Sequence, residues 1–149
     1  MKYTDLISEN ITTIDNLLDN FKREYSAIIK YGCKRDNCGV PAGELQMYGK
    51  KYGFDIPRVY GFFKVDIPQL SIKDFTKDEI DKMKKQGFDP RNKDDRKSFA
   101  EKNNLIDELK HIPHYWNTYN GEIIDFTGYE QFVKTKHSSD TNRERYITV

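Results

Sequence analysis

The dipeptide Asn120-Gly121 constrains this chain more than any other feature. Both residues tolerate a positive φ, as the two central positions of a type I′ turn require, and that turn matches the twist of paired strands. β-Forming runs lie on either side, His114-Tyr115-Trp116-Asn117-Thr118-Tyr119 before it and Glu122-Ile123-Ile124-Asp125-Phe126-Thr127 after it. A two-residue hairpin over 114–127 is therefore expected. Counting outward from the turn pairs Tyr119 with Glu122, Thr118 with Ile123, Asn117 with Ile124 and Trp116 with Asp125. Residues two apart on a strand share a face, so His114 and Trp116 point the same way and Asp125 lies diagonally across from His114. A diagonal separation of roughly 7 Å between α-carbons lets a carboxylate reach an imidazole.

Helical patterns precede the hairpin. Ile7, Ile11, Ile14, Leu18, Phe21, Tyr25 and Ile28 recur in steps of four and three, which predicts one long core-packing helix over 3–30 that ends at Tyr31-Gly32. A polar loop follows, in which Asp36 or Asn37 can cap the next helix. Pro41 suits a first helical turn, and Ala42, Leu45, Met47 and Tyr48 carry the helix to a stop near Gly53. The run from Pro57 to Asp66 reads as a strand. Residues 67–110 are rich in lysine and aspartate and form a helical excursion. Thr76-Lys77-Asp78-Glu79 opens one helix with a capping box and carries it to about Lys85, and a second is expected near 94–110. Phe132-Val133 and Tyr146-Ile147-Thr148-Val149 offer further edge pairing. The expected fold is one α+β domain over 1–149, with helices packed on a small antiparallel sheet.

Composition narrows the function classes. The net charge of +1 over 149 residues supplies no field for nucleic acid or an acidic membrane surface. No apolar run approaches the roughly 20 residues that span a bilayer. MKYTDLISEN lacks the apolar stretch of a signal peptide, so a cytoplasmic location is expected. In that reducing compartment Cys33 and Cys38 are expected as thiols.

The chemistry centres on Cys38, where a helix is expected to begin. Unpaired amide hydrogens and the positive end of the helix dipole favour thiolate over thiol there. The same amides can hold a developing oxyanion. A thiolate that attacks a carbonyl also needs a base, and the base an orienting group. His114 and Asp125 on the hairpin offer both. Other readings of these residues stay open. Cys38 can be a small buried residue, His114 a satisfied strand histidine and Asp125 a turn-supporting carboxylate, as in a binding module without catalysis. Cys33-x4-Cys38 with His111-x2-His114 also makes a four-ligand set of zinc type.

Several residues are secondary candidates. Asn37 can assist an oxyanion hole or cap the helix, and Trp116 can shield the cleft or fill the core. Tyr31 or Gln131 can donate to an oxyanion. His137 reads as exposed, His111 as structural, and Arg58 either as a surface charge or as a ligand for a substrate carboxylate.

The spacing resembles the transglutaminase-like branch of the papain-like cysteine enzymes. The matching residues are Cys38, Ala42, Gly53, the run Ile56-Pro57-Arg58-Val59-Tyr60-Gly61, then His114-Tyr115-Trp116 and Asp125-Phe126-Thr127. They span 38–61 and 114–127. The chain departs from that pattern in its long helical stretch after Gly61, its short His-to-Asp hairpin, and Phe126 where proline is common. The resemblance implies a papain-like core with Cys38 as nucleophile, His114 as general base and then acid, and Asp125 as the group orienting the imidazole. It implies no cofactor, and a peptide, protein or small amide or ester as substrate, released by hydrolysis or transfer.

Overall fold

Thr13 starts the first helix among the described residues. Its extended backbone lets the hydroxyl accept from the Asn16 N–H, and helix α1 runs Ile14–Glu24. The structure of the protein, a computed structural model, describes residues 11–34, 37–127 and 140–149. Ile7, Asp36, the edge pairing expected at Phe132-Val133, Gln131 and His137 lie outside the described residues. By contacts the chain forms two compact units, one of residues 1–63 with 113–149 and the other of 64–112.

In the first unit, the continuous helix expected over 3–30 is broken. Tyr25 leaves helical geometry at φ −108° and ψ 24°, and α2 resumes over Ser26–Gly32. Packing explains the break, because the Tyr25 ring stacks on Phe21 at 4.7 Å and meets Tyr48 edge-on at 5.4 Å. Helix α3, Gly39–Lys51, follows, and Gly53 takes a positive φ of 84° just beyond it. The buried core joins Ile11, Leu17 and Phe21 to Leu45, Tyr48 and Ile56. Complete burial of a residue such as Phe21 or Leu17 contributes about 1.5–3 kcal/mol.

Four strands make the sheet: β1 Arg58–Lys64, β2 His111–Tyr119, β3 Glu122–Ile124 and β4 Tyr146–Thr148. Their order is β3-β2-β1-β4, and the sheet is antiparallel. The mixed α+β class and the small antiparallel sheet agree with expectation. The hairpin register is the one counted from the turn, Tyr119 with Glu122, Thr118 with Ile123 and Asn117 with Ile124. Asn120 and Gly121 have φ of 49° and 80°. Two details differ. β2 begins at His111, and β3 ends at Ile124, because the Asp125 side chain accepts the Thr127 N–H and turns the chain there. The C-terminal residues do pair at an edge, with Phe63 opposite Tyr146 and Gly61 opposite Thr148.

The second unit carries helices α4 Lys77–Lys85, α5 Lys93–Lys102 and α6 Ile106–Leu109. The capping box at Thr76 and Glu79 forms as its spacing requires. The single helix expected near 94–110 splits at Asn104, whose φ is 57°. The sparse apolar residues suffice for a small core of Leu70, Phe75, Met83, Phe99 and Ala100. Arg96 ties this core's borders together, donating to the carbonyls of Leu70 at 2.7 Å and Pro90 at 2.8 Å. No helix among the described residues is long and apolar enough to cross a membrane.

Gly61 sits where two elements crowd the β1 backbone. A Cβ there would collide with the Ile147 carbonyl and lie 2.6 Å from Trp116 Cη2. Gly61→Ala is expected to cost about 1–3 kcal/mol, since the obstacle is backbone on one side and a buried ring on the other. Urea unfolding followed by Trp116 fluorescence measures this, and an unchanged midpoint would show that β4 does not press on β1.

Candidate active site

The site is assembled from three segments of the first unit. Cys38 is the residue from which α3 departs, with φ −63° and ψ −22°. Among the described residues neither Cys38 nor Asn37 caps this helix start with its side chain; the Asn37 carbonyl accepts the Val40 N–H instead, at 3.2 Å. Capping by Asn37 is thus corrected, because its main chain has taken the role of its side chain. Asn117 anchors α3 to the sheet through its buried amide, which donates to the carbonyls of Ala42 at 2.9 Å and Ile56 at 3.3 Å. The Cys38 sulfur, 5% exposed, accepts the Tyr115 backbone N–H at 3.4 Å.

His114 is fully buried on β2, with its Nε2 2.7 Å from Asp125 Oδ2. The carboxylate has further donors. Oδ2 also accepts the Tyr146 hydroxyl at 2.8 Å, and Oδ1 accepts the Thr127 N–H at 3.0 Å and the Thr127 hydroxyl at 3.2 Å. A buried carboxylate is tolerated when its lone pairs are met in this way. Trp116 lies near-parallel to the imidazole at 6.0 Å, and Phe63 meets it edge-on at 5.9 Å. Trp116 is 1% exposed, so it is a core ring packed against the site and not a cover over an open cleft.

Burial, the largest influence on His114, opposes charging the ring. The hydrogen bond and charge of Asp125, with a further contribution from the nearby Cys38 sulfur, outweigh it and raise the pKa from 6.5 to about 9. At neutral pH the ring is a proton donor held by a carboxylate, on the strand whose next amide bonds the Cys38 sulfur. That arrangement can stabilise a negative sulfur and deliver a proton to a departing group.

The structure brings together Cys38, His114 and Asp125, with Trp116 against the imidazole. It does not bring Tyr31 into this group; that ring is 47% exposed on α2. Of the four residues of the zinc-type set, Cys33 points its sulfur toward the Phe126 carbonyl at 4.0 Å, and His111 Nδ1 lies 2.7 Å from the Asp107 carbonyl. Among the described residues no three His, Cys, Asp or Glu side chains group so as to hold a metal ion. Sequence reasoning missed Tyr146 and Asn117. Tyr146 belongs to a three-residue strand far along the chain, and nothing local marks its hydroxyl for Asp125. Asn117 left a signal, being a lone amide in an aromatic strand. Comparison with known proteins finds no matching family model, no matching curated protein and no matching solved structure.

Folding raises the His114 pKa from 6.5 to about 9, so the stabilisation it brings is complete below about 6.5 and is lost as pH rises through about 9. The urea midpoint of the wild type is expected to fall across that window, and that of Asp125→Asn to fall much less, because a neutral amide does not hold the ring's proton. Equal pH dependence in the two proteins would refute the coupling. Tyr146→Phe removes a donor from a buried carboxylate and is expected to cost about 1.5–3 kcal/mol at neutral pH.

Proposed function

We propose that this protein is a cysteine-dependent acyl-transfer enzyme built on a transglutaminase-like core. The observation that carries the reading is the buried 2.7 Å pair of His114 and Asp125, with the Cys38 sulfur held at 3.4 Å by the amide of the next residue, Tyr115. Cys38 sulfur attacks the carbonyl carbon of an amide or ester. The C–N or C–O bond breaks as the His114 imidazolium gives its proton to the departing nitrogen or oxygen. The thioester is then attacked by water or an amine, whose proton returns to His114, and the thiolate leaves. Asp125 keeps the ring oriented throughout, and its own four donors keep the carboxylate still. The spacing from Cys38 to Gly61 and from His114 to Thr127 supports the family reading, as does a cysteine at the start of a helix packed on an antiparallel sheet.

One observation favours a second reading, a binding module on the same fold. The cavity beside Cys38, bounded by Pro41, Trp116, Asp125 and Thr127 among others, has room for about 10 Å³. That is about one water and no more. Catalysis needs the side chains over the sulfur to part for a substrate carbonyl, and a module does not.

Iodoacetamide labelling separates the two. The acyl-transfer reading expects Cys38 to be alkylated near pH 6–7 at least about tenfold faster than Cys33, and His114→Ala to remove that advantage. Peptide mapping by mass spectrometry assigns the label. A slow Cys38, indifferent to His114→Ala, supports the closed module.

A further inference from the structure

A groove of about 550 Å³ runs beside the start of α3, bordered by Asn37, Gly39, Glu44, Met47, Arg58 and Tyr115 among others. It touches the residues on both sides of Cys38, and it shares Tyr115 with the small cavity that holds the sulfur. The acyl-transfer reading uses none of its polar groups.

Arg58 is the distinctive one. It is exposed at the first position of β1, yet its guanidinium is held in place. Nη1 donates to the Gly39 carbonyl at 3.3 Å, one residue from Cys38. The guanidinium carbon stands 4.9 Å from the centre of the Tyr115 ring, and Tyr115 is braced in turn by Tyr60 at 4.9 Å. Cation–π stacking of this kind fixes the plane of the fork. A guanidinium has five N–H donors. Among the described residues, Gly39 takes one of them and no carboxylate pairs with Arg58. Glu44 lines the same groove without joining it. A cation already oriented, bearing spare donors and bordering a groove that flanks the nucleophile, suits a planar anion.

We propose that Arg58 is a specificity-determining residue that binds a carboxylate on the substrate, so that the substrates are amides or esters carrying a carboxylate close to the carbonyl under attack. The proposal rests on the acyl-transfer reading. Glu44 makes the groove hostile to a polyanion and leaves a single carboxylate on an otherwise polar or apolar chain as the better fit. Val40 and Met47, 46% and 68% exposed along the groove, supply apolar contact for such a chain.

The test needs no known substrate. Iodoacetylglycine and iodoacetyl-β-alanine are compared, at Cys38, with their carboxamides, which differ only in charge. In the wild type each acid is expected to alkylate faster than its amide. In Arg58→Gln the acid-to-amide ratio is expected to drop about tenfold, the worth of one hydrogen bond to a charged group. Arg58→Lys keeps a charge but not the planar fork, and should fall between the two. A ratio of one or less in the wild type overturns the proposal without any variant, and so does a ratio that is the same in wild type and Arg58→Gln. Cys38 slow toward acids and amides alike overturns the acyl-transfer reading and this one with it. A fast Cys38 with an unmoved ratio overturns only the assignment of Arg58.

Discussion

The carboxylate of Asp125 is the group on which the rest of the site depends. A carboxylate removed from water is destabilised by several kcal/mol unless donors surround it. Here the donors come from three stretches of chain: Thr127 two residues on, His114 across the hairpin, and Tyr146 on β4. Each requires a different piece of architecture. Thr127 needs the local turn, His114 needs the hairpin register, and Tyr146 needs β4 to lie against β1. A one-residue slip of β2 would carry His114 to the opposite face and leave the carboxylate short of a donor. The tertiary arrangement is therefore held by the most demanding polar group within it, and the aromatic rings of Phe63, Trp116 and Tyr146 complete the enclosure.

Cys38 is brought to this cluster by a different set of forces. Helix α3 is placed by apolar packing of Leu45 and Tyr48 against α1, and the Asn117 amide ties it to β2. The tie joins α3 directly to the strand that carries His114. The Tyr115 amide that reaches the sulfur belongs to the same strand. Side chains mounted on helices and strands keep their mutual geometry better than side chains mounted on loops. The same tight packing leaves little room at the sulfur, and the open space lies along the outer face of α3, beside Arg58.

Local structure was legible wherever short-range chemistry decides it. Asn120-Gly121 set the turn and with it three strand pairs, Thr76 and Glu79 marked a helix start, and Gly53 marked a helix end. The closeness of His114 and Asp125 followed from the same count, since it needs only the register and the alternation of faces. The α1–α2 break was not legible. Its apolar stripe runs on through Tyr25, and only the rings of Phe21 and Tyr48, the second more than twenty residues away, turn the chain there. Asn37 showed the opposite failure. A good capping side chain stood in the right place, but Cys38 adopted helical backbone angles and moved the cap to a carbonyl. Asp125 to Thr127 read as strand by composition, and a side-chain turn ended the strand early.

By itself the sequence determined the element types, the hairpin register and the diagonal pairing of His114 with Asp125. These rest on steric preferences and hydrogen bonds that span a few residues or a single tight turn. Only the tertiary structure decided that Tyr146 would become a donor to Asp125, that Asn117 would fasten α3, and that Arg58 would lie over Tyr115 beside Cys38. Those contacts join segments separated by long stretches of chain. Many tyrosines and arginines in the sequence are chemically able to make them, and which ones do depends on how the sheet and helices pack.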